Sequence, residues 1–158
     1  MATLPQLIED DISVLDDALR EFLGQTSATA ALLIDKGGFL LTHQGNAGDV
    51  DFTTLGALAS GAFMASQTIA GLVNEKNFDC TYQQGENYSL LVLDVDEHCL
   101  LVVLFKSQAG VGIVKYYSSN CASRIARQLC TAQERDPGRG FDLSALNIAQ
   151  PQELFRKK

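Results

Sequence analysis

A stretch without any charged residue, from Phe52 to Asn74, is the feature that most constrains the fold of this chain. Its length, and apolar residues recurring at spacings of three and four, predict one long helix. The residues expected to share its inward face are Leu55, Leu58, Ala59, Ala62, Ser66, Ile69, Leu72 and Val73. A helix that is neutral all round is usually buried on more than one side.

The opposite face of this helix carries small, neutral or soft side chains where a surface helix would carry charges. A transmembrane span needs about 20 predominantly apolar residues, and the Thr, Ser, Gln and Gly content argues against membrane insertion. A core helix enclosed within one domain is the second interpretation. We favour a third, in which one face packs on the chain's own sheet and the other binds a second polypeptide. The predicted partner-binding residues are Ala57, Ser60, Gly61, Met64, Gln67, Thr68 and Gly71.

The length and composition of the chain are those of an ordinary soluble protein. A chain of 158 residues, 46% apolar and 20% charged, has room for one domain with a real core. Its net charge of −7 argues against nucleic acid as a partner, since a nucleic-acid binder presents a basic face. The N-terminal residues show no basic segment followed by an apolar one, so we expect a cytoplasmic protein without a secretory signal.

The order of predicted elements indicates an α/β (α+β) fold. Amphipathic helices are predicted over 5–23 and 111–132, on either side of the long middle helix. Strands are predicted over 29–36, 38–44, 77–83, 87–94 and 98–106. We therefore expect a five-stranded, mainly antiparallel sheet in a three-layer α/β/α sandwich, with the middle helix on one face and the terminal helices on the other. Residues 1–133 form the predicted domain, and 134–158 a tail that either docks or is mostly disordered.

Two of the strand patterns also predict positions in the sheet. Residues 77–83 alternate between apolar and polar side chains, which is typical of an edge strand or the seam of a dimer. Residues 99–105 are apolar at every position, which is typical of a central strand covered on both faces.

No pattern in the sequence predicts a catalytic residue, a metal site or a cofactor. Gly110-Val111-Gly112 opens a helix but lacks the third glycine of a dinucleotide fingerprint. His43 and His98 stand in no ligand or triad motif, and the four cysteines have no zinc spacing. We therefore expect a protein that is not an enzyme and holds neither metal nor cofactor.

Four segments together resemble the roadblock (dynein light-chain roadblock) family, in particular its bacterial MglB-like members. They are ALLIDKGGFLLTH (31–43), TTLGALASGAFMASQTIAGLVNEKNF (53–78), YQQGEN (82–87) and LLVVLF (100–105), within a matching region of roughly 28–130. The element order read from the residues is the order that the family has.

The resemblance implies a homodimer or paired heterodimer in which the middle helices lie side by side and the strands after them join into one sheet. It makes Phe63, Phe78, Cys80 and Tyr82 candidates for the dimer interface. MglB-like proteins bind a small Ras-like GTPase on the paired helices and speed GTP hydrolysis in bacterial polarity and motility. They rearrange the GTPase's own catalytic residues and supply no arginine finger.

Three functions follow from these observations, in order of preference. The first is a dimeric, activator-type regulator of a small Ras-like GTPase. The second is a non-catalytic roadblock scaffold or adaptor that pairs with another roadblock-like chain. The third, from a different class, is a small-ligand sensor, because sheet-and-helix sandwiches of this kind can enclose a pocket.

Overall fold

The computed structural model of this chain describes residues 4–135, and the predicted order of elements is confirmed. The three helices are α1 (Glu9–Gln25), α2 (Phe52–Leu72) and α3 (Val111–Arg135). The five strands are β1 (Ala28–Asp35), β2 (Leu40–Gly45), β3 (Cys80–Gln84), β4 (Tyr88–Asp94) and β5 (Cys99–Lys106).

All strand pairs in the sheet are antiparallel, in the spatial order β2-β1-β5-β4-β3. The fully apolar strand β5 lies at the centre, between β1 and β4, as its sequence predicts. The alternating strand β3 lies at an edge, where within residues 4–135 it pairs only with β4. An edge strand leaves a row of backbone N–H and C=O groups free to pair with another chain.

The helices cover the sheet as a three-layer α/β/α sandwich. Alternate residues of the central strands point to opposite faces, so Leu33 and Leu101 pack under α1 and α3, whereas Leu32 and Val102 pack under α2. The layer of α1 and α3 holds the larger apolar cluster, and the α2 layer the smaller one. The prediction that the middle helix covers one face and the terminal helices the other is therefore confirmed.

The rotation of α2 about its axis differs from the prediction. Leu58 and Leu72, which were expected to face inward, are 68% and 80% exposed. The buried residues of α2 are instead small, apart from one aromatic side chain: Gly56, Ala59, Ser60, Phe63 and Ala70, with Phe52 and Leu55 partly buried against the same cluster. A Cβ atom at Gly56 would lie 2.9 Å from Ile34 Cγ2, so the missing side chain lets the helix approach β1 closely.

This rotation corrects two of the predicted interface residues. Ser60 is 4% exposed, and its hydroxyl donates a hydrogen bond of 2.8 Å to the backbone oxygen of Lys36. Phe63 is 1% exposed and fills the space between α2 and the sheet. Both side chains are used inside their own chain, so the expectations of an outward Ser60 and a dimer-interface Phe63 are wrong.

The terminal helices are joined by a buried carboxylate. Helix α1 begins at Glu9 and not at Pro5, because the Asp11 carboxylate accepts a hydrogen bond from the backbone N–H of Ile8 and closes the first turn. Both oxygens of Asp11 also accept hydrogen bonds from the guanidinium of Arg135, at 2.8 and 2.9 Å. The predicted boundary after residue 133 thus falls within α3, and the rest of the predicted tail, 136–158, lies outside the described residues.

Candidate protein-interaction surface

The outward side of α2 is an uninterrupted uncharged surface. Its most outward residues recur at alternating spacings of four and three, which keeps them on one line along the helix. We call this line the outer stripe; its residues are Thr54, Leu58, Gly61, Ala65, Thr68 and Leu72, all exposed. Leucines stand towards its two ends, and small residues lie between them. By length and composition alone α2 could cross a membrane, but in this fold its inward side packs on the sheet of the same chain.

Most of the predicted partner-binding residues lie on or beside this stripe. Gly61 and Thr68 belong to it, while Ala57, Met64 and Gly71 are exposed on one flank. The opposite flank, which the sequence assigned to the interior, carries Ile69, more than half exposed. The exposed apolar surface of α2 is therefore larger than expected. Contiguous apolar surface of this kind marks an interaction site.

Gln67 has a structural role that the sequence did not reveal. Its side-chain amide donates a hydrogen bond of 2.8 Å to the backbone oxygen of Phe78 and accepts one of 3.1 Å from the backbone N–H of the same residue. The amide thus pairs with that backbone as a neighbouring strand would. It ties α2 to the segment that enters β3, and so sets the edge strand at a defined position beside the helix.

The other predicted dimer-interface residues gather around the free edge of β3. Phe78 and Cys80 are half-buried, just before and at the start of the strand. Tyr82 is exposed along one side and stacks on the Phe105 ring, with 6.2 Å between ring centroids. Cys80 and Tyr82 pack on the sheet face covered by α1 and α3, whereas Phe78 is held to α2 by Gln67.

Two of the thiols are buried within the fold, and one imidazole packs against an aromatic ring. Burial raises the pKa of the Cys99 thiol, and raises that of Cys121 to about 12, which opposes thiolate formation. The His43 ring packs edge-on against Phe52, with 4.9 Å between ring centroids. Among residues 4–135, no group of three or more His, Cys, Asp or Glu side chains is arranged to hold a metal ion.

Comparison with known proteins identifies the family. Residues 14–105 match the family model described as Roadblock/LC7 domain. An MglB structure with a tetrameric arrangement is 32% identical and superposes with a TM-score of 0.77, covering 84% of this chain and 99% of that one. The gliding protein MglB from Thermus thermophilus is 31% identical, with a TM-score of 0.76 and coverage of 83% and 99%.

A relative outside the bacteria matches over a similar region. An uncharacterised protein of Methanocaldococcus jannaschii is 26% identical over 113 residues, which are 72% of this chain and 94% of that protein. The region matched by the family model contains α2 and runs from α1 into β5. This chain is a member of the Roadblock/LC7 family.

Proposed function

We propose that this protein is a cytoplasmic, dimeric regulator of a small Ras-like GTPase, of the activator type, with no catalytic residue of its own. The observation that carries the proposal is the exposed, uncharged outer surface of α2, in a chain about one-third identical to MglB along most of its length. A surface so apolar is unfavourable in water and is stabilised when a second protein covers it.

Two features support self-association as the first step. The outer stripe has the alternating spacing of helices that pack along a common seam, and Gly61 and Ala65 leave room for a second helix to approach. The free edge of β3 offers backbone groups to the same strand of a second copy. Burying Leu58 and Leu72 would contribute about 1.5–3 kcal/mol for each side chain, which would offset part of the cost of association.

The composition of α2 indicates how such a dimer would act on a GTPase. Between Phe52 and Leu72 there is neither arginine nor lysine, so this helix has no cation to place against a transferring phosphoryl group. Activation would instead come from the contact itself, which holds the GTPase's own catalytic groups in their productive arrangement. In a dimer packed along the outer stripe, Gly61 and Thr68 would lie in the seam, so the residues left to contact the GTPase are those of the adjacent flank, Ala57, Met64 and Gly71.

The test is single-turnover GTP hydrolysis by the Ras-like GTPase encoded nearest this gene, with and without the purified protein. Thr68→Arg places a charge in the outer stripe, whereas Ser13→Arg places the same charge on the exposed side of α1, behind the sheet. We expect several-fold stimulation by the wild-type protein and by Ser13→Arg, and none by Thr68→Arg. Equal stimulation by the two variants would contradict the proposal.

A non-catalytic scaffold is the second candidate, and the absence of a cation on α2 favours it as much as it favours an indirect activator. A scaffold would bind the GTPase or another roadblock-like chain through the same surface without changing the rate of hydrolysis. Complex formation on size-exclusion chromatography with light scattering, together with an unchanged hydrolysis rate, would establish the scaffold and exclude the activator.

A further inference from the structure

A cleft of about 550 Å³ opens at one end of the sheet, beside the outward side of α2. The turn between β1 and β2 forms one wall with Asp35 and Lys36, and the turn between β4 and β5 forms another with Glu97 and His98. Met64, an exposed residue on the flank of α2, also lines it. The volume of the cleft is within the size range of binding pockets. The cleft lies outside the buried residues of the two apolar clusters that stabilise the fold and outside the outer stripe.

The walls of this cleft are held in place by backbone contacts. The backbone N–H of Lys36 donates to the backbone oxygen of His98 at 2.8 Å, which joins the two turns directly. Ser60 donates to the backbone oxygen of Lys36 and fixes the first turn to α2. The Asp96 carboxylate accepts hydrogen bonds from the backbone N–H groups of His98 and Cys99, each 2.8 Å, and fixes the second turn. The cleft is thus formed before any partner arrives.

The charge around the cleft is acidic. Lys36 Nζ lies 2.9 Å from Asp94 Oδ1, so its positive charge is already matched. Among the residues that the structure describes, no lysine or arginine pairs with the two acids that line the cleft, Asp35 and Glu97. The Glu97 side chain is 70% exposed and free to reorient. A cation entering here would therefore meet two carboxylates.

His98 provides a second, independent indication of a ligand. Its side chain is only 7% exposed, yet it lines the cleft. The polar contact of its ring within residues 4–135 is with Glu97 Oε1, 3.4 Å from Nε2, which is longer than a good hydrogen bond. A buried ring whose one polar contact is long, in a cleft that Asp35, Glu97 and Met64 also line, suits a planar guanidinium, which can bind carboxylates and stack on aromatic rings.

We propose that this cleft receives an arginine side chain of the protein that docks on the outward side of α2. The arginine enters past Met64, pairs with Asp35 and Glu97 and lies against the His98 ring. The flank of α2 beside the outer stripe then supplies apolar contact area, and the cleft supplies orientation and specificity, as charged contacts at the rim of an interface do. The identity of the partner rests on the proposed function, whereas the cleft is testable without it.

The cleft is tested first with a small probe. N-acetyl-arginine N-methylamide is titrated into the full chain while the NMR signals of the Met64 methyl group and the His98 ring are followed, and the neutral citrulline analogue serves as the matched probe. We expect saturable shifts with the arginine compound, weak or absent shifts with the citrulline compound, and loss of the arginine response in Glu97→Lys. No response, or equal responses to both compounds, would overturn the proposal whatever the GTPase does.

The role of the cleft in partner binding is tested with the same substitution. Glu97→Lys and Glu9→Lys change the net charge equally, but Glu9 begins α1 behind the sheet. We expect Glu97→Lys to weaken GTPase binding about tenfold, with Glu9→Lys close to wild type. Equal affinities of the two variants would overturn the assignment of the cleft to the partner while leaving the GTPase proposal intact. If the wild type binds no Ras-like GTPase but responds to the arginine probe, the proposed function and partner fail and the arginine site stands.

Discussion

The rotation of α2 can be tested by adding the same methyl group to its two sides. Gly56 faces the sheet and Gly61 lies in the outer stripe, five residues further along the helix. Replacing glycine by alanine inside a helix stabilises it by about 1 kcal/mol when the new methyl group meets nothing. At Gly61 an added Cβ would meet no atom within 4 Å among residues 4–135, apart from the neighbouring residues and backbone of its own helix. The isolated chain should therefore gain close to that amount from Gly61→Ala.

At Gly56 the same methyl group would lie 2.9 Å from Ile34 Cγ2. Ile34 is fully buried in β1, and its Cγ2 is attached to Cβ, so it moves only if χ1 or the backbone moves. Overpacking of this kind costs about 1–3 kcal/mol, which exceeds the gain in helix propensity. We expect Gly56→Ala to lower the free energy of unfolding by about 1 kcal/mol, so the two variants should differ by about 2 kcal/mol.

Urea denaturation followed by circular dichroism measures this difference, and it should be repeated over a range of protein concentrations because stability depends on concentration in a dimer. In a dimer that packs along the outer stripe, the methyl group at Gly61 should weaken association, so its advantage should shrink as concentration rises. If Gly56→Ala proves as stable as Gly61→Ala at low concentration, the close contact between α2 and β1 is wrong, and the outer stripe would have to be redrawn.

Substitutions at three further positions test contacts that hold the surface in place. Asp11→Asn should lower the free energy of unfolding by about 2 kcal/mol at neutral pH. Hydrogen bonds from Arg135 hold the pKa of Asp11 well below its usual range, so the stability that the Asp11 carboxylate contributes is present above about pH 4 and is lost as the pH falls. Parallel pH–stability curves for Asp11→Asn and the wild type would contradict a stabilising role of the ionised Asp11 carboxylate. Gln67→Ala removes both hydrogen bonds to the Phe78 backbone and should speed amide hydrogen exchange at Phe78. Gln67→Glu retains the acceptor but loses the donor, so its effect should be intermediate. Unchanged exchange at Phe78 in both variants would show that the contact is dispensable. Phe63→Ala should cost about 3–5 kcal/mol in urea denaturation, whereas a cost below 1 kcal/mol, the range of exposed sites, would mean that the ring lies at a surface.

The strands were predictable because each carries its own pattern. The unbroken apolar run 99–105 identified β5 as a strand covered on both faces, and the alternation over 77–83 identified β3 as an edge strand. In both cases the pattern of apolar and polar side chains within one short segment shows whether one face of the strand or neither face is exposed to solvent. The same local information placed the helices and, with them, the three layers.

The inward side of α2 was not predictable in this way. Periodicity identifies the buried side of a helix only when the other side is polar, and here both sides are uncharged. Two of its large aliphatic residues, Leu58 and Leu72, point outward, because the buried positions over the sheet are taken by small residues and the ring of Phe63, with Phe52 and Leu55 partly buried beside them. The fit of side-chain sizes against the sheet, and not their hydrophobicity, set the rotation of α2 about its axis. For this reason the sequence placed Ser60 and Phe63 on the wrong side of the helix.

By itself, then, the sequence determined the order of the elements, the position of the central and edge strands and the neutral character of the middle helix, because these depend on patterns within single segments. The tertiary structure alone decided which side of α2 is free, that Gln67 anchors the entry to β3, and that two turns distant in the sequence enclose an acidic cleft beside Met64. Each of these depends on distances between residues far apart in the chain, which close packing sets and local patterns do not record.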